Sequence, residues 1–184
     1  SGGGFHGQPL ALVLDYASIA AAELGNIADR RCYLLLEGLH GLPRLLTTSG
    51  GLNSGMMIPQ YATAALVTEN KSLCFPPSAD SVPTSMGQED HVSMGVTSGR
   101  KLQEVIFNVK QCLAIEILCN TQALDFQRPL QSSPAIEAVH NLIRKHVPTI
   151  KTDRVLYKDI ENIVKLIESN EITNTVESII GELK

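Results

Sequence analysis

The sequence predicts an all-α protein built from long packed helices. Three observations lead there. Hydrophobic residues make up 43% of the 184 residues but aromatics only 4%, with no Trp. Such a core must be assembled from Leu, Ile, Val and Ala, which suits packed helices better than a β-sandwich. Apolar residues recur at i, i+3, i+4 and i+7 over most of the chain. No segment shows the strict alternation of a strand, and no internal repeat is present.

The same numbers exclude several function classes. Charged residues are 18% and the net charge is −4, as in a folded globular protein rather than a disordered one. No long basic run exists, so a nucleic-acid partner is not expected. No uninterrupted apolar stretch reaches about 18 residues, so no membrane span is expected. The start lacks the regions of a signal peptide, and a cytoplasmic protein is expected. Ser1-Gly2-Gly3-Gly4 runs straight into a helix signal, as in the middle of a longer protein.

The elements run in order along the chain. Gln8 to about Glu23 reads as a helix, with Pro9 in its first turn, where a missing N–H costs little. Gly25-Asn26 is expected to break or kink it, with helical pattern resuming over 29–37. Glycines and Pro43 make 38–55 a loop. A helix is expected over 58–73, then a loop over 75–87 broken by Pro76, Pro77 and Pro83. From Glu89 to about Asp125 the pattern reads as one helix, with Gly95 and Gly99 allowing close helix contact. It would span about 50 Å and is apolar nearly all round in its second half. A chain of this size cannot easily surround it, which points to a larger assembly. Ser133-Pro134 opens a helix to about His146. Asp153 is expected to start the next, with Ile160, Ile163, Val164 and Ile167 on one face. A last helix carries Val176, Ile179, Ile180 and Leu183.

Gln88-Glu89-Asp90-His91 is the densest polar cluster. Two carboxylates at a helix start suit the helix dipole, so capping is one reading. The other is a carboxylate held at a rigid helix entrance, able to bind an amine or accept a proton. A metal site is not expected: adjacent helix residues do not face each other, and HExxH and CxxC spacings are absent. The glycines at 1–4 lack the Gly-Lys-Ser/Thr ending of a phosphate loop. Phe5-His6 behind them is a better candidate, since glycines can place a side chain closely. His40, His140 and His146 read as surface or helix-end residues. Cys112 and Cys119 lie two helical turns apart, about 10 Å, beyond disulfide reach. All four cysteines read as reduced.

Five ordered segments resemble the aromatic amino acid ammonia-lyases, and within them the histidine-acting branch. Residues 1–7 resemble its SGGNFHG segment. Asn53-Ser54-Gly55-Met56-Met57-Ile58 looks like NSGFMI, and Thr68-Glu69-Asn70-Lys71 like SENK. Residues 77–85 are similar to PASVDSIPTS, and Gln88-Glu89-Asp90-His91-Val92-Ser93-Met94 comes next. The matches cover residues 1 to about 100. Gly4 stands where the family has Asn, and Met86-Gly87 stand where it commonly has Ala-Asn.

The resemblance implies the C-terminal portion of the ammonia-lyase/fumarase-like helical fold, in a homotetramer with shared active sites. Residues 1–128 would belong to the central bundle and 129–184 to peripheral helices. Members release ammonia from an aromatic amino acid, and the histidine branch makes urocanate. Their electrophile is 4-methylideneimidazol-5-one (MIO), formed from an Ala-Ser-Gly that this sequence does not contain. Thr48-Ser49-Gly50 and Thr97-Ser98-Gly99 sit in the wrong part of the pattern. The missing N-terminal portion of the enzyme would supply it, so this chain alone would be inactive. By the same resemblance Phe5 packs beside the prosthetic group, and Gln88 and Glu89 bind substrate. Glu89 matches the residue that contacts the imidazole side of histidine and is the expected catalytic carboxylate. A tyrosine lyase or aminomutase, and a silent helical assembly module, are the alternatives.

Overall fold

The computed structural model describes residues 4–183, so Ser1-Gly2-Gly3 of the glycine run lies outside the described residues. Among the described residues there are six α-helices and no strand. They are α1 (Gln8–Leu36), α2 (Met57–Leu73), α3 (Gly95–Phe126), α4 (Pro134–His146), α5 (Tyr157–Glu168) and α6 (Glu171–Ile180). Short 3-10 turns lie at Arg44–Leu46, Pro77–Ala79 and Ser85–Gly87.

Four expectations are corrected. First, α1 runs unbroken for 29 residues through Gly25-Asn26. A glycine inside a helix costs only about 1 kcal/mol. The Gly25 backbone also packs closely: a β-carbon there would lie 3.5 Å from Asn70 and Val109 side-chain atoms. Second, α1 is long and apolar enough to cross a membrane by length and composition. The exclusion required an unbroken apolar run, and Asp15 and Glu23 interrupt it. Third, α3 starts at Gly95, six residues after Glu89. Fourth, α5 starts at Tyr157 rather than at Asp153. The Asp153 carboxylate accepts the backbone N–H groups of Ser54 (2.6 Å) and Gly55 (3.0 Å), and its own N–H donates to Asn53 Oδ1 (3.0 Å). Loop amides have taken the carboxylate that a helix start would have used.

The contacts define two compact units. One holds the residues up to Ile27 together with Ala65–Val109. In it Gly95 and Gly99 allow close packing as expected: a β-carbon at Gly95 would lie 3.5 Å from that of Ala11, and one at Gly99 3.7 Å from Leu14. Asn108 Nδ2 donates to Glu69 (2.8 Å) and to Asn70 Oδ1 (3.0 Å). The other unit holds Ala28–Ala64 with Lys110 onward. Its core gathers Leu46, Met56, Ile115, Leu118, Ile143 and Ile163, all essentially without solvent contact. Buried Asp29 accepts from Thr63 Oγ1 (2.6 Å) and Gln60 Nε2 (3.1 Å), and Arg31 pairs with Glu116 at 2.5 Å.

Late in α3, two polar side chains organise the segments C-terminal to it. Buried Gln122 accepts the Ile150 N–H (3.1 Å) and donates to its carbonyl (2.8 Å), as a strand partner would. Asp125 takes three donors: His140 Nε2 (2.7 Å), Arg144 (2.7 Å) and Thr149 Oγ1 (2.8 Å). His140 is therefore buried, not a surface residue. Burial opposes ionisation of Asp125, but the Thr149 hydroxyl, His140 and Arg144 outweigh it and hold the carboxyl below its ordinary range.

Replacing Asp125 by Ala should cost about 3 kcal/mol, because it strands partly buried donors. The depressed pKa makes this contribution complete above the unfolded-state value of about 3.9. It should fade as the pH falls through and below that value. Thermal unfolding of the whole protein, wild type against D125A, between pH 7 and pH 3 measures it. A difference that does not shrink with acid would show that the Asp125 charge is not the source.

Candidate functional site

Phe5, Gln88 and Glu89 all lie in the first unit, on two segments that meet. The first segment is the turn that opens α1. Gly7 N–H donates to the Gly4 carbonyl (3.1 Å), and Ala11 N–H to the Gly7 carbonyl (3.0 Å). Gly7 has φ +74°, a left-handed conformation that favours glycine. The turn sets the Phe5 and His6 rings edge-to-face, 5.0 Å apart between centroids. Phe5 is 76% exposed, an uncovered aromatic face on an otherwise ordered turn.

The second segment runs from Pro76 to Met94. Thr84 and Glu89 pair as a single antiparallel bridge: Thr84 N–H donates to the Glu89 carbonyl (3.0 Å), and Glu89 N–H to the Thr84 carbonyl (3.4 Å). Between them Ser85, Met86 and Gly87 have φ of 51°, 56° and 89°. Three consecutive left-handed residues reverse the chain sharply, at about 1 kcal/mol or more for each non-glycine. Farther on, Val92 N–H donates to Ser81 Oγ (3.1 Å), and the Ser93 hydroxyl donates to the His6 carbonyl. That last bond ties the two segments together.

These bonds explain why the helix does not begin at Glu89. The Glu89 carbonyl, which would accept the first intrahelical N–H, is paired with Thr84 in an extended bridge instead. The capping reading of Glu89 and Asp90 is thereby corrected. The Glu89 side chain serves its own turn instead. Its carboxylate is held below the ordinary glutamate range by the Ser85 hydroxyl first, then by the Thr84 hydroxyl (3.3 Å) and a backbone N–H, with His6 adding a favourable charge. Glu89 is thus an anion at neutral pH, half-buried, on a turn whose geometry is over-determined. Gln88 beside it is exposed, and Met86 is fully exposed.

This arrangement suits a ligand carrying an N–H or a positive charge. A fixed carboxylate accepts a charge-assisted hydrogen bond, and an amide and an aromatic ring flank it. All four cysteines are free thiols, burial pushes Cys112 up to about 12, and a hydrogen bond to Cys32 together with burial pushes Cys119 up as well. A cavity of about 700 Å³ lies in the other unit, lined by Tyr33, Arg44, Gln60 and Tyr61 among others, and includes none of the expected site residues. Sequence reasoning missed Thr84, Ser85 and Ser93, which hold Glu89 and its segment. Their signal was membership of the 77–85 and 88–94 family-like segments, which gave them no individual role.

Ser85→Ala should raise the Glu89 pKa toward the ordinary glutamate value of about 4.3. The carboxyl ¹³C titration of the protein labelled at glutamate reads this, and an unmoved Glu89 titration would remove Ser85 from the site.

Comparison with known proteins bears on the whole chain. The family model for aromatic amino acid lyases matches residues 1–145. The histidine ammonia-lyase of Symbiobacterium thermophilum is 52% identical over all of this chain, which spans 36% of that protein's length. The crystal structure of histidine ammonia-lyase from Trypanosoma cruzi superposes with a TM-score of 0.93 at 47% identity, covering 97% of this chain and 35% of that one. A tyrosine aminomutase from Streptomyces globisporus superposes with a TM-score of 0.91 at 36% identity, over 96% of this chain and 34% of that one. The chain therefore spans about a third of the length of the relatives it matches.

Proposed function

The chain belongs to the aromatic amino acid lyase family, and from that membership we propose that it is the substrate-binding third of a histidine ammonia-lyase, a carbon–nitrogen lyase converting L-histidine to urocanate and ammonia. The observation that carries this reading is the ionised Glu89 carboxylate, locked by Thr84 and Ser85 at the head of an exposed turn. Support for histidine over other aromatic amino acids comes from relatives named histidine ammonia-lyase at about half identity.

Glu89 accepts a hydrogen bond from an imidazole N–H of the substrate and favours positive charge on that ring. Gln88 offers its amide to the same small molecule. Phe5 presents its open face to the prosthetic group, and an uncovered aromatic ring 76% exposed fits a planar group packed against it. That group is MIO, formed from an Ala-Ser-Gly in the N-terminal two-thirds of the enzyme, and it supplies the electrophile for ammonia release. The residues of this chain orient the substrate.

The enzyme works in the cytoplasm as a homotetramer. The apolar side chains that α1 leaves exposed, among them Leu10, Val13 and Tyr16, support association with further protein. Residues 1–128 belong to its central bundle and 129–184 to its periphery.

The full-length enzyme given L-histidine should release ammonia and develop the ultraviolet band of urocanate. Glu89→Gln should lower kcat/KM for histidine by about 100-fold, the size of one charge-assisted hydrogen bond lost at a substrate ring. Turnover of L-tyrosine with none of L-histidine would overturn the substrate assignment in favour of the aminomutase-like relatives. No turnover of either would favour a silent assembly module.

A further inference from the structure

Asp15 is an ionisable residue in the middle of an apolar helix, and it is buried, with 5% exposure. Its carboxylate does not serve its own helix. It accepts the Ser78 backbone N–H at 2.8 Å. Two turns earlier on the same helical face, Gln8 Nε2 donates to the Ser78 carbonyl at 2.9 Å. Both backbone groups of Ser78 are thus held by side chains of α1. The positive charge of Lys101 faces the same carboxylate, and its ammonium donates to the Phe75 carbonyl just upstream.

Ser78 sits in the Pro77–Ala79 turn, behind two consecutive prolines that restrict the backbone. From there the bonds run in relay. Ser81 accepts from Val92, Thr84 pairs with Glu89, and Ser93 reaches back to His6. The exposed 80–92 segment has no helix of its own and little buried surface. Its position depends on where Ser78 is anchored.

We propose that Asp15 is a positioning residue for the Gln88–Glu89 turn, acting through its clamp on Ser78. The role for catalysis rests on the reading of that turn as the substrate-binding side. The clamp itself does not. Asp15 touches no reacting atom; it fixes the loop that presents Glu89, as a supporting residue fixes a binding group.

The test uses the full-length enzyme and Asp15→Asn, which keeps the shape but removes the charge, leaving the Ser78 N–H only a neutral and weaker acceptor. Hydrogen exchange should accelerate roughly tenfold or more at the amides of 78–92, while those of α3 from Val105 to Leu118 stay unchanged. The KM for histidine should rise about tenfold with a smaller fall in kcat. The double variant D15N/E89Q should be no worse than E89Q alone, because both act on one interaction. Unchanged loop exchange, exchange raised evenly over the whole protein, or additive losses in the double variant would each overturn the proposal. If D15N does not fold, Gln8→Ala removes the other α1 bond to Ser78 and should give the same localised exchange on a smaller scale. Its absence is equally decisive. Wild-type enzyme inert toward histidine would sink the substrate reading, and the exchange measurement would still decide the clamp.

Discussion

A backbone that leaves a helix must still satisfy its N–H and C=O groups, and the described residues form no sheet to do it. Side chains do it instead. Gln122 pairs with both polar groups of Ile150, Asp153 takes two amides of the 53–55 loop, and Asp15 and Gln8 share Ser78. Each bond of this kind is worth about 1 kcal/mol net, more where the acceptor is charged. Their larger effect is geometric. They convert connecting loops, ordinarily the mobile parts of a helical protein, into fixed surfaces on which functional groups can be mounted.

The Glu89 turn is the clearest consequence. Nothing about its local sequence favours three successive left-handed residues, and two of them are not glycine. Such a conformation survives only where neighbours over-determine it. The Thr84 pairing, the serine hydroxyl on the carboxylate and the tie from Ser93 to His6 supply that. The strain and the depressed carboxyl pKa have the same origin: donors gathered around one anion.

The apolar side chains of α1 point the same way. Leu10, Val13, Tyr16, Leu24 and Ile27 stand exposed on a helix whose composition would suit a buried setting. Contiguous apolar surface of this kind is normally covered by protein.

Helix content was legible from residue spacing, because apolar periodicity reports which face is buried without reference to the partner. Pro9, Pro134 and the glycine pair of α3 behaved as local rules require. The start of α3, the role of Asp153 and the burial of His140 were not legible. In each case a polar group chose between a nearby helix end and a partner far away in the sequence or across a turn. Asp153 found Ser54, His140 found Asp125, and the backbone of Glu89 found Thr84. The family segments located Gln88 and Glu89 as residues of interest, while the apolar pattern placed the start of a helix at Glu89, six residues too early. By itself, then, the sequence determined an all-helical protein, its family and the residues worth examining, since these rest on composition, period and motif. Only the tertiary structure decided that Glu89 sits on a strained turn held by hydroxyls and, through Ser78, by α1, because competition among hydrogen-bond partners is settled by proximity in space.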